Sequence, residues 1–213
     1  MCELSKLKNK SYLSILFQFL FFSKAKAVEG PITSGGGGAF VCRDQDGQVN
    51  EAELLDLFEA REIFGFTITA SEEDVAKQVA AALARIKFFD PVFGVDVEKN
   101  YKFIHEHTRY ISEHVIINPP KDADPNYQKS GCPIEGMMYF DGKINALMID
   151  NRIFSKLVSN TERAAALIHE AVYKTLREKV INPDVTSIHT RQIVGTLLDD
   201  SLDMRPLEEF LPK

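Results

Sequence analysis

The sequence predicts an α+β fold: a small antiparallel sheet packed against about four helices and stapled by one disulfide. Three observations carry that reading. Apolar residues recur at helical spacing in Glu72–Phe89, and Asn160–Lys179 and Ser187–Leu202 read as further helices. Ala39–Arg43 is a strand candidate, and two apolar runs flank Asp141-Gly142, a hairpin turn signal. Two cysteines, Cys42 and Cys132, lie beyond an N-terminal segment that reads as an export signal.

A chain of 213 residues that is 45% hydrophobic and 26% charged is ordinary for a folded globular domain with a real core, which excludes fibrous and disordered classes. Lys6, Lys8 and Lys10 form a basic region ahead of the apolar run Ser11–Phe22, and Ser23–Ala27 offers an Ala-x-Ala cleavage site before Val28. The run falls short of the roughly 20 residues that span a bilayer. An uncleaved anchor or a buried apolar segment is the other reading. Cys2 precedes the apolar run and belongs to no lipoprotein box. The expected organisation is therefore a signal peptide at 1–27, a flexible Gly-rich leader at 28–38, and one α+β domain at 39–213. A secreted or periplasmic location follows, with no stable membrane insertion after cleavage.

Residues 1–27 hold five lysines and Glu3, so the remainder keeps 20 basic and 30 acidic residues, a net charge of −10. Such a chain has no electrostatic attraction to nucleic acid or anionic lipid. In an oxidising compartment two cysteines in one small domain pair, here across a loop of about 90 residues.

After the first strand, Asp44–Glu53 (DQDGQVNEAE) is weighed as a calcium loop, with Asp44, Asp46 and Glu53 at ligand positions. Cys42 stands where the first ligand belongs and no helix precedes it. The better reading is a tight Asp-Gly turn, with Asn50 and Glu53 forming a capping box for a helix at Glu51–Arg61. Phe64–Thr69 is a short strand candidate, and Ser71 is placed to cap Glu72–Phe89, which Asp90-Pro91 ends. Tyr101–Ile117 carries three of the five histidines. If extended, His105 and His107 share a face at metal-ligand spacing; if helical, they point about 200° apart and form no joint site. Asn118–Gly131 reads as a long polar loop, and Asn151–Leu157 joins the hairpin to the next helix.

Asn160–Lys179 is the helix around which the chain is organised. Ser159 with Glu162, or Asn160, caps its start, and its apolar middle is expected to be buried on more than one side. His169 and Glu170 sit inside that middle, with Tyr173 one turn beyond His169. Burying such groups unpaired costs several kcal/mol, so they are either paired or functional. His-Glu-x-x-Tyr partly resembles the zincin His-Glu-x-x-His helix, in which two histidines hold zinc and the glutamate polarises its water. On that resemblance His169 is a metal ligand, Glu170 the general base, Tyr173 a catalytic-site residue, and Asp199, Asp200 or a strand histidine completes a zinc site. His189 lies too near the turn at 181–184 to reach His169. A phenol, with its pKa near 10, is a poor zinc ligand. The competing reading is a buried network in which His169 bonds an acid or a carbonyl and Glu170 pairs with Arg163 or Arg191.

CRDQDGQVNEAELLDLFEAR, a lone cysteine before a hairpin, NTERAAALIHEAVYK and TRQIVGTLL together resemble a family of uncharacterised secreted proteins from predatory deltaproteobacteria and their relatives. The resemblance covers most of the chain after the signal and implies the signal peptide, the Cys42–Cys132 pair and a tyrosine at 173. It implies no activity. The functional expectation is thus a non-catalytic envelope or extracellular protein, binding or structural, with a zincin-like hydrolase of peptide or cell-wall substrates as the alternative. The sequence names neither cofactor nor partner.

Overall fold

The computed structural model describes residues 37–112, 117–129, 131–179 and 187–201; the signal segment, most of the leader and the turn at 181–184 lie outside them. Among the described residues, two three-stranded sheets and six helices make up an α+β fold, with the Cys42–Cys132 disulfide formed. β1 (Gly38–Arg43) lies between β2 (Val49–Leu54) and β4 (Ile134–Gly136), antiparallel to both. The register that sets Phe40 opposite Ile134 carries on to bring Cys132 across from Cys42, with their Cα atoms 4.4 Å apart. In the second sheet β6 (Ala146–Asp150) pairs antiparallel with β5 (Met138–Asp141) and parallel with β3 (Thr108–Ile111). The hairpin around Asp141-Gly142 is therefore present, but the expected single antiparallel sheet is two sheets, one of them mixed.

The largest departure from expectation lies at 49–54. Here β2 replaces the start of the helix read at Glu51–Arg61, and α1 runs only over Leu55–Glu62. Val49, Ala52 and Leu54 are buried while Asn50 and Glu51 are exposed, an inward–outward arrangement that pairs with β1. That pairing overrides the helix propensity of Glu, Ala and Leu. Asn50 and Glu53 therefore form no capping box. Nor do Asp44, Asp46 and Glu53 face a common centre. Asp44 Oδ1 accepts the Asp46 and Gln48 N–H groups at 3.0 and 2.8 Å, closing a turn in which Gly47 has φ 78°. The Glu53 carboxylate is bonded instead to Arg61 at 2.6 Å and Lys129 at 3.0 Å.

Phe64–Thr69 forms no strand, because carboxylates rather than a neighbouring strand satisfy its backbone. Thr67 N donates to Asp199 Oδ1 and Thr69 N to Asp200 Oδ2, each at 3.0 Å. α2 (Val75–Phe89) is capped by Asp74, which accepts from Lys77 N, while Ser71 only closes a turn onto Glu73 N. Asp90 ends α2 and caps α3 (Pro91–Glu106). Tyr101–Glu106 is thus helical, and the strand begins only at Thr108. His105 stacks on Tyr101 and His107 on Phe103, so the two rings share no face.

α4 (Asn151–Phe154) leads to α5 (Asn160–Lys179), which touches α1, α2, α3, β2 and α6 (Ser187–Leu198). Its buried residues include Ala164, Ala165, Ala166, Ile168, Ala171 and Val172, small enough for neighbours to close on several sides. Ser159 Oγ caps Glu162 N at 3.2 Å, yet the Glu162 side chain does not bond the Ser159 N–H to complete a box. It accepts Leu54 N at 3.1 Å instead, anchoring α5 to the edge of β2.

Burial pushes the Glu162 carboxyl up to about 7, Glu53 adds to the rise, and the Leu54 N–H and Arg61 oppose it. A carboxyl raised in the folded state contributes stability below its unfolded pKa near 4.5 and loses it as pH rises through about 7. Glu162→Gln keeps the acceptor for Leu54. It is expected to flatten the stability–pH profile between pH 5 and 8 and to be the more stable protein at about pH 8, as urea titrations across that range would measure.

Candidate functional site

Acids set within an apolar run mark α1 as the first wall of the site. Leu55, Leu57 and Ala60 are buried, and so are Asp56 and Glu59 beside them, at i and i+3. α6 lies close along this helix because it carries Gly195: a Cβ there would stand 2.9 Å from Ala60 Cβ. That approach brings Arg191, one turn above Gly195, onto Glu59. α5 supplies His169, Glu170 and Tyr173, and the polar loop at 118–131 supplies Asp122 and Tyr127.

Two linked groups result. In the first, His169 is 1% exposed and its Nδ1 lies 2.6 Å from Asp56 Oδ2. Glu170, 4% exposed, accepts the Gly37 N–H through Oε1 at 2.9 Å. Burial alone would lower the His169 pKa, but the Asp56 charge and hydrogen bond, with Glu170 behind them, hold it above its ordinary value. Burial raises Glu170 in turn, against the pull of His169 and Gly37 N–H. Tyr173 stacks on His169 with ring centroids 6.0 Å apart, and Arg177 Cζ lies over the Tyr173 ring, 5.6 Å from its centroid.

Arg191, 1% exposed, holds the second group. Its Nε donates to Glu59 Oε2 at 2.6 Å, Nη1 to Asp122 Oδ1 at 3.1 Å and to Ser187 Oγ at 2.5 Å, and Nη2 to the Asp122 carbonyl at 3.3 Å. Asp122 also accepts Ser187 N at 2.6 Å and Ser187 Oγ at 2.7 Å, capping α6 from a different part of the chain. Burial works to raise Asp122, but Arg191 and Ser187 outweigh it and hold the carboxyl low. Glu59, deeper and nearer Asp56, stays above its usual range through burial despite Arg191. Tyr127 hydrogen-bonds Glu59 from the loop side.

Of the residues singled out in the sequence, His169, Glu170 and Tyr173 do lie together. Asp199 and Asp200 face Thr67 and Thr69 instead, and His105 and His107 are held in their own stacks, so neither pair completes a metal sphere around His169. His189 is exposed. Among the described residues Glu170 pairs with no arginine: Arg191 goes to Glu59 and Asp122, and Arg163 to Asn160 and the Ser155 and Leu157 carbonyls. Sequence reasoning missed Asp56, Glu59 and Asp122. The signal for the first two was present in LDLFEA, where acids interrupt an apolar run as His169 and Glu170 do on α5.

His169 Nε2 has no hydrogen-bond partner among the described residues, and neither has Asp56 Oδ1. A histidine backed by a carboxylate at Nδ1 is oriented as metal-ligating histidines are. No further ligands converge on it: among the described residues no group of three or more His, Cys, Asp or Glu side chains is placed to hold a metal ion. The donor set among the described residues therefore does not fit a zinc centre.

The accessible part of the site is a cleft of about 560 Å³. Glu59, Asp122, Arg191 and Tyr127 line it along with Ile63, Phe64, Pro125 and Ile188, while His169 and Glu170 do not. The loop forming one wall is fastened near both ends. Gly136 N donates to Ile117 O at 3.2 Å, and Cys132 is tied to Cys42. Among the described residues no helix is long and apolar enough to cross a membrane. No family model, curated protein or solved structure matches the chain.

Proposed function

We propose that this is a secreted or periplasmic protein that binds a ligand without transforming it, and that His169, Glu170 and Tyr173 belong to its framework. One observation carries the reading. The groups best suited to chemistry, His169 and Glu170, are enclosed and tied to Asp56 and Gly37, whereas the inner wall of the neighbouring cleft is formed by Glu59, Asp122 and Arg191, which are paired with one another. A hydrolase needs its base and its electrophile on the open surface of a cleft. A binding site needs concavity, apolar walls and a few fixed polar groups. Export, expected from the N-terminal sequence, accords with a disulfide in the fold.

Elemental mass spectrometry of protein purified without chelator, paired with His169→Gln, tests this. The expected result is far less than one zinc per chain, and a variant less stable by about 1–3 kcal/mol because Asp56 loses its buried imidazole partner. One zinc per chain, lost in a His169→Gln protein that remains folded, would overturn the reading in favour of the zincin-like hydrolase. The carboxylate behind His169 Nδ1, and an Nε2 unpartnered among the described residues, are the structural features that favour that alternative.

A further inference from the structure

We infer that the cleft takes a cationic ligand with an apolar body, a peptide segment carrying Lys or Arg beside an aliphatic residue. The inference rests on the binding reading above and names what is bound. About 560 Å³ is within the range of small-ligand sites, roughly 300–1,000 Å³. Ile63 and Ile188 are 49% and 36% exposed, and both face this one opening from different helix ends. Scattered apolar surface residues need no explanation, but two lining one cleft provide walls for an aliphatic side chain.

Charge decides the rest. The cleft is lined by the acids Glu59, Asp122 and Asp124 and by the cations Lys121 and Arg191. Arg191 lies between Glu59 and Asp122, and its Nε, Nη1 and Nη2 all donate within the protein; with Lys121 exposed at the rim, the lining still carries three acids against two cations. Asp124 is exposed and uses Oδ1 to close a turn onto Asn126 N at 2.8 Å. Its charge is available at the mouth. At the Tyr127 hydroxyl burial raises the pKa first, the Glu59 and Asp124 carboxylates raise it further, and Arg191 opposes them. The whole chain, at −6, adds a long-range pull on cations.

The test is an NMR titration of the ¹⁵N-labelled protein with three capped tripeptides, Ile-Lys-Ile, Ile-Glu-Ile and Ile-norleucine-Ile. The lysine peptide is expected to bind at least about tenfold more tightly than the glutamate peptide, with shifts at Ile63, Tyr127 and Ile188. Asp124→Asn keeps the turn acceptor and removes the charge; it should bring the lysine peptide down to the norleucine level. Glutamate or norleucine peptides binding the same residues as tightly would overturn the ligand class and leave the binding reading standing. No shift at any cleft residue with any of the three would overturn both.

Discussion

Arg191→Met is expected to cost about 3–5 kcal/mol of folding stability, read as a fall in the urea midpoint at unchanged slope. Methionine keeps the aliphatic stem and removes only the guanidinium, so little packing is lost. What remains is Glu59, 2% exposed, with no cation beside it. Asp122 fares better, because Ser187 N and Oγ still hold its carboxylate. The penalty therefore falls mainly on Glu59, whose carboxyl burial already holds above its usual range. Two consequences separate this account from general disruption. The variant should recover stability at acid pH, where Glu59 is protonated in both states. Adding Glu59→Gln should restore part of the loss at neutral pH, since removing both charges leaves no orphan ion. A loss below about 1 kcal/mol would mean that water reaches this pair in solution.

That buried pair also shows where sequence reasoning stopped. The long helix Asn160–Lys179 was legible because its period and its caps are local. The Asp-Gly hairpin was legible for a similar reason, and the pairing of two cysteines because an oxidising compartment leaves each one partner. The strand at Val49–Leu54 was not, because nothing within NEAEL favours extension; only β1 beside it does. The parallel β3–β6 pair escaped for the same reason, since its strands lie far apart in the chain. At the site, the sequence placed His169 and Glu170 in a core but could not supply partners. Asp56 is 113 residues from His169, and Gly37 is 133 from Glu170. Arg191 was among the arginines considered for Glu170, and the fold gives it to Glu59. Which acid a buried cation reaches depends on helix crossing, here on the close approach that Gly195 permits, and no spacing rule encodes that.

Replacing Cys42 and Cys132 by serine is expected to cost about 4–5 kcal/mol in the chain-entropy model for a loop this long, and at least about 2 kcal/mol if the unfolded chain is already compact. The bond joins residues 90 apart, so it restrains much of the unfolded chain. Its second effect is local. The loop bearing Asp122 and Tyr127 is held at its near end by Gly136 N and Ile117 O and at its far end by this bond. With the bond removed, Arg191 and Ser187, through Asp122, and the pairing of Lys129 with Glu51 and Glu53 still hold the loop. Amide exchange should then rise first across 118–131, while the interior of α5 keeps its protection in proportion to global stability. Exchange that rises equally in the loop and in α5 would show that the bond acts on the whole fold and that the loop has no independent freedom. Faster exchange confined to the loop would make the disulfide the element that fixes one wall of the cleft, and would tie the shape of the binding site to the redox state of its compartment.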